Sequence, residues 1–117
     1  MIRILLVEDD ELLRDIYVTI LTDAGYSVES ASDGQEGLEK ITGSRWDLIL
    51  LDIFMPRLTG IQVLGKLGPD FDTTRIIFMT NREPDPEMKE SLQRVGGHII
   101  KSAHTPDTFL QAVKRFL

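Results

Sequence analysis

Residues 46–60 read WDLILLDIFMPRLTG, and the fold follows from this stretch. Leu48 to Leu51 form an unbroken apolar run, far too short to span a membrane, and Asp52 comes directly after it. A continuous run of this length, with Pro56 and Gly60 soon beyond it, predicts a strand buried on both faces, as parallel sheets require. Asp52 then stands at the carboxyl end of that strand. This is the edge of an open α/β sheet where ligands and chemistry gather.

Upstream, Ile2 to Val7 is a strand interrupted only by Arg3, and it runs into Glu8, Asp9 and Asp10. Leu12, Leu13, Ile16, Tyr17, Ile20, Leu21 and Ala24 then recur at helical spacing, with Asp10 as N-cap and Gly25 as the stop. Tyr26 to Ala31 alternates weakly as a short strand. Asp33-Gly34 turns into a helix carrying Leu38 and Ile41, which Gly43 ends. Downstream, Ile61, Leu64 and Leu67 predict a short helix weakened by Gly65 and stopped by Gly68-Pro69. Arg75 to Met79 reads as the fourth strand, with Thr80 at its end. A polar loop over residues 81–86 precedes a sparsely apolar helix from Glu87 to Val95, the one expected to pack least firmly. Gly97 to Ile100 is a brief strand ending in Lys101. Thr105-Pro106 caps a last helix whose apolar face is expected to hold Phe109, Leu110, Val113, Phe116 and Leu117. Strand and helix alternate five times, which predicts a doubly wound α/β fold: a parallel sheet with helices on both faces and right-handed crossovers.

Composition narrows the function. The 117 residues, 42% of them hydrophobic, suit one domain spanning 1–117 with a single core. Thirteen Lys and Arg against nineteen Asp and Glu give a net charge of −6, which argues against direct binding to nucleic acid or anionic membrane. With no cysteine, disulfides, thiolate metal sites and cysteine nucleophiles are excluded. The early acidic turn of MIRILLVEDD does not suit a signal peptide, and a cytoplasmic location is expected.

Five polar residues are predicted to meet at one sheet edge: Glu8 and Asp9 after the first strand, Asp52 after the third, Thr80 after the fourth and Lys101 after the fifth. Any one alone reads as a helix cap or a solvated loop residue. All five at strand ends read as a site. Three carboxylates in one place either raise their pKa values or hold a divalent cation, and an oxygen-only set suits Mg²⁺. Lysine and threonine offer the charge and hydroxyl that a phosphoryl group takes up. Gly60, Gly65 and Lys66 spell G-x-x-x-x-G-K, but Leu67 stands where a nucleotide-binding loop needs Ser or Thr, so the segment reads as a packed helix.

Over essentially its whole length the sequence resembles the receiver domains of two-component response regulators. LLVEDD, DLILLDIFMPRLTG, the Thr80 ending IIFMT and the Lys101 of HIIK carry the likeness. The spacing of Asp52, Met55, Pro56 and Gly60 is its most specific part. The resemblance implies a sheet order of 2-1-3-4-5 and a phosphorylation-dependent switch, not an enzyme. Asp52 would accept a phosphoryl group from a histidine kinase or phosphotransfer protein. Glu8, Asp9, Asp52 and the backbone carbonyl of Phe54 would hold Mg²⁺. Thr80 and Lys101 would contact the phosphoryl oxygens, His98 would stand in for the aromatic switch residue, and a downstream protein would dock on the fourth helix, fifth strand and fifth helix.

The sequence also departs from that pattern. Asn81 stands beside the threonine where a small residue is usual, and Phe54 and Arg82 flank the site where polar or acidic groups are common. His98, smaller and more polar than an aromatic ring, is expected to gate more weakly. Ser102 replaces the proline after Lys101. A cis peptide before serine costs roughly 2.5–4 kcal/mol, so a trans bond is expected, with Lys101 still aimed at Asp52. Two alternatives remain at this level. One is a pseudo-receiver that binds partners without being phosphorylated. The other is an aspartate-nucleophile phosphohydrolase, although Phe54 occupies the place of its second aspartate.

Overall fold

A computed structural model describes all of residues 1–117. The strands are β1 (Arg3–Val7), β2 (Ser27–Ala31), β3 (Leu48–Asp52), β4 (Ile76–Thr80) and β5 (Gly97–Ile100). The helices are α1 (Glu11–Asp23), α2 (Gly34–Gly43), α3 (Gly60–Gly65), α4 (Lys89–Arg94) and α5 (Pro106–Lys114). All five strands are parallel, in the order β2-β1-β3-β4-β5. The alternation read from the sequence is therefore the fold, with the expected order.

Residues of each strand point alternately to two separate cores. Leu5, Val7, Ile49, Leu51, Ile76 and Phe78 pack with Ile41, Val63 and Leu64 of α2 and α3. Ile4, Leu6, Leu48, Leu50, Ile77 and Met79 pack with Tyr17 and Leu21 of α1 and with Phe109, Ala112 and Val113 of α5. Every residue of β3 and β4 is buried, which is why Leu48 to Leu51 shows no alternation of polarity. On the second side the Tyr17 and Phe109 rings stack with centroids 4.4 Å apart, so α1 and α5 share one aromatic contact.

Local chemistry sets the helix ends. The Asp10 side chain accepts from the Leu13 amide at 3.0 Å, as the N-cap reading requires. Gly25 has φ +97°, the left-handed turn that releases the chain from α1 into β2. The capping boxes at Thr59 and Thr105 start α3 and α5.

Several boundaries differ from the expected ones. Arg75 belongs to a 3₁₀ turn and β4 starts at Ile76. The helix expected over Glu87–Val95 splits into a 3₁₀ turn at Pro86–Met88 followed by α4, which has no buried residue. It is thus the most lightly packed helix, as its composition implied. α5 ends at Lys114, so Phe116 and Leu117 lie beyond the helix at about two-fifths exposure, while Ala112 is buried instead. In α1, Leu12 faces solvent although its spacing matched the apolar series. A period of 3.6 places it at the margin of the stripe, and only Tyr17 and Leu21 are buried.

Candidate functional site

The parallel register brings the strand ends together. Val7 lies beside Leu51, Asp52 beside Met79, and Thr80 beside Ile100, so residues just past β1, β3, β4 and β5 share one edge. The loop after β3 is held close by Gly60, whose amide donates to the Ile53 carbonyl at 2.8 Å. A Cβ at Gly60 would lie 2.4 Å from the Asp52 carbonyl oxygen, so only glycine permits this approach.

Lys101 opens a 3₁₀ turn after β5 and sends a buried side chain across the edge. Its Nζ donates to Glu8 Oε1 at 2.6 Å and to Asp52 Oδ2 at 3.0 Å. The remaining Glu8 oxygen accepts from the Asp10 amide at 3.3 Å, and Asp52 Oδ1 accepts from the Phe54 amide at 3.3 Å. Arg14, one turn into α1, donates to the Glu8 backbone carbonyl at 2.9 Å. Asp9 is exposed, yet one oxygen from each of Glu8, Asp9 and Asp52 falls within 4.8 Å of the others.

Two buried carboxylates face one ammonium, so the cluster carries one negative charge too many if all three ionise. Burial, followed by the hydrogen bond and charge of Glu8, pushes the Asp52 carboxyl up to about 8 against the pull of Lys101. Burial also acts to raise Glu8, but hydrogen bonding with Asp52 and Lys101 outweighs it and holds Glu8 below the usual carboxylate range. Burial alone acts to lower Lys101. Hydrogen bonding with Glu8 and the charges of Asp52 and Glu8 raise it instead. The balance favours the charged forms of Glu8 and Lys101 and the protonated form of Asp52. A divalent cation would displace that proton.

Glu8, Asp9, Asp52 and Lys101 are thus brought together as their spacing implied. Thr80 is also at this edge and fully buried, but its hydroxyl is turned into its own loop: it donates to the Arg82 carbonyl at 2.9 Å and accepts from the Arg82 amide at 3.3 Å. His98 is exposed on β5, in register with Phe78. Every peptide bond is trans, Lys101–Ser102 included, and Lys101 points at Asp52 without a proline after it.

Three features escaped the sequence reading. The Arg82 guanidinium carbon lies 5.0 Å from the centroid of the Phe54 ring, which is 40% exposed. The Ser102 hydroxyl donates to the Asn81 carbonyl at 3.0 Å. Arg57, in the loop after Asp52, has φ 69°, a left-handed conformation that non-glycine residues rarely adopt. Only the last had a signal in the sequence, the tight spacing of Pro56 and Gly60.

Comparison with known proteins agrees with this geometry. The family model for the response regulator receiver domain matches residues 4–114. The transcriptional regulatory protein DltR of Streptococcus agalactiae is 33% identical over 112 residues, which are 96% of this chain and 50% of DltR. The chain therefore spans about half the length of that relative. Among solved structures, the chemotaxis response regulator CheY4 of Vibrio cholerae is 32% identical with a TM-score of 0.86, covering 100% of this chain and 99% of CheY4. Response regulator TrrA of Thermotoga maritima, solved in complex with Mg²⁺-BeF, is 29% identical with a TM-score of 0.84 and full coverage of both chains. TrrA has also been solved with the histidine kinase ThkA, at 28% identity, a TM-score of 0.80, and coverage of 100% of this chain and 99% of that one. With residues 4–114 matched by the family model and the sheet order shared with its solved members, the chain belongs to the response regulator receiver domain family.

Proposed function

We propose that this chain is a phosphorylation-dependent signalling switch, one receiver domain over residues 1–117, in which Asp52 accepts a phosphoryl group from a histidine kinase or phosphotransfer protein. The observation that carries the proposal is the bridge from Lys101 Nζ to both Glu8 and Asp52, which draws three strand ends into one site. The donor set of Glu8, Asp9 and Asp52 is oxygen-only and compact, and with the Phe54 carbonyl it fits Mg²⁺. When bound, Mg²⁺ supplies charge neutralisation for the transferring group.

The chain's own residues do the rest. One Asp52 oxygen forms the bond to phosphorus as the donor's phosphorus–nitrogen bond breaks, and that electron pair leaves with the imidazole, which takes a proton from solvent. Asp52 must first give up the proton that burial and Glu8 favour. Lys101, already 3.0 Å from the nucleophile, holds the carboxylate in line and stays beside the new phosphoryl charge. Thr80 would leave Arg82 and turn to a phosphoryl oxygen, a change read out on the face made by α4, β5 and α5, where a downstream partner docks and His98 lies exposed. In this reading the domain is a cytoplasmic switch and not an enzyme of steady turnover.

Incubation with a small phosphodonor and Mg²⁺, followed by intact mass, tests the assignment. We expect one phosphoryl group on the wild type and none on Asp52→Asn. Label that persists in Asp52→Asn, or that maps to Ser or Thr, overturns it. Steady release of phosphate from a phosphate ester would point instead to a hydrolase.

A further inference from the structure

The loop that carries Thr80 is held from several sides by contacts that the transfer itself does not need. Thr80 uses both its donor and an acceptor site on the Arg82 backbone. The Arg82 side chain is fixed in turn: its guanidinium lies over the Phe54 ring at 5.0 Å and reaches Asp85 at 3.5 Å. Phe54 is anchored beside the nucleophile by the hydrogen bond its backbone amide donates to Asp52 Oδ1. From the other side, the Ser102 hydroxyl, next to Lys101, holds the Asn81 carbonyl. The segment these contacts restrain has little else to hold it, because Asn81, Arg82 and Glu83 are exposed and α4 beyond them buries no residue.

We propose that the Phe54–Arg82 stack and the Ser102–Asn81 hydrogen bond form a clasp that keeps Thr80 turned away from Asp52 and opposes the switch. The inference rests on the function proposed above and adds a regulatory element to it. Thr80 cannot donate to a group on Asp52 while its hydroxyl proton serves the Arg82 carbonyl. Releasing Arg82 means moving a turn pinned at Phe54, Asp85 and Ser102. A ligand that needs the open turn binds more weakly by the fraction of molecules in which the turn is closed. Loosening the clasp therefore tightens such a ligand without any new contact to it.

The test uses beryllium fluoride with Mg²⁺ as the phosphoryl-like probe, with affinities measured for the wild type, Phe54→Leu, Arg82→Ala, their double variant and Ser102→Ala. A solvent-exposed cation–π contact predicts about two- to fivefold tighter binding in each of the first two single variants. The double variant should gain no more than Arg82→Ala alone, because that variant already removes the contact with Phe54. Ser102→Ala should tighten binding independently, by about two- to tenfold for one hydrogen bond. Hydrogen exchange over residues 80–86 should speed up in all of them, which shows that the turn has loosened in a folded protein. Unchanged or weaker probe binding in Phe54→Leu and Arg82→Ala overturns the clasp and leaves the receiver function standing. Additive effects of those two also overturn it, since Phe54 and Arg82 would then act separately. A wild type that fails to bind the probe overturns the receiver function, and the clasp with it.

Discussion

Asp52→Asn should make the metal-free protein more stable at neutral pH, although it removes the proposed reacting group. The reason is the position of Asp52 between burial and Glu8, which raises its carboxyl from 3.8 to about 8. A carboxyl whose folded value is raised contributes no penalty below its unfolded value. The penalty then grows as pH climbs, because the unfolded chain ionises freely while the folded one holds its proton or carries an unwelcome charge. It stops growing near pH 8. At pH 7 about three pH units of that window have been crossed, and 1.36 kcal/mol per unit caps the cost at about 4 kcal/mol. Part of this is returned by Glu8 and Lys101, whose shifts run in the stabilising direction. Asparagine keeps the shape, never ionises and leaves the Lys101–Glu8 bond in place. We expect the variant to be about 1–3 kcal/mol more stable at pH 7 in EDTA, with the gap closing toward pH 4. Urea unfolding at several pH values, followed by the fluorescence of the buried Trp46, measures it. A variant no more stable than wild type at pH 7, or a gap that ignores pH, would refute the reasoning.

Three other outcomes can be checked. Mg²⁺ must displace the Asp52 proton, so its affinity should rise about tenfold per pH unit below pH 8 and level off above it; calorimetry in buffers of different ionisation enthalpy should find about one proton released at pH 6–7, and Asp9→Asn should lose the site. Gly60→Ala should cost about 1–3 kcal/mol, because the new methyl would meet the Asp52 carbonyl at 2.4 Å; thermal denaturation that matches wild type would show that the loop can retreat. Arg57→Gly should raise stability by about 0.5 kcal/mol, the left-handed strain at φ 69° slightly exceeding the entropy of a glycine. The exposed Arg57–Asp33 contact at 3.8 Å offers little to lose, and a clear loss of stability in chemical denaturation would contradict that balance.

Much of this architecture is legible in the chain because burial on both faces leaves an unmistakable trace. LILLD has no polar interruption before Asp52, and that is the signature of β3 flanked by two cores. Glu8, Asp52 and Lys101 could be placed together because each ends a strand and parallel strands end on the same edge. Where the outcome depended on loop geometry, the sequence was silent. Nothing in IIFMTNREP says that Thr80 bonds to Arg82 two residues on, since the competing partner, a group on Asp52, is equally within a threonine's chemistry. Phe116 and Leu117 continued the apolar spacing of α5, but periodicity carries no information about where a helix stops, and Lys114 is its last residue. Ser102 was read only as an absent proline. Its hydroxyl to Asn81 joins residues 21 apart, a tertiary bond that local pattern cannot register.

The bridge at Lys101 also fixes an order of events during synthesis. Its two partners lie 93 and 49 residues earlier in the chain, so a ribosome releases both carboxylates long before their counter-ion. Until Lys101 has emerged, β1 and β3 can pair only with Glu8 and Asp52 lacking that partner. A nascent chain stalled before Lys101 therefore presents a loosely closed, acidic edge.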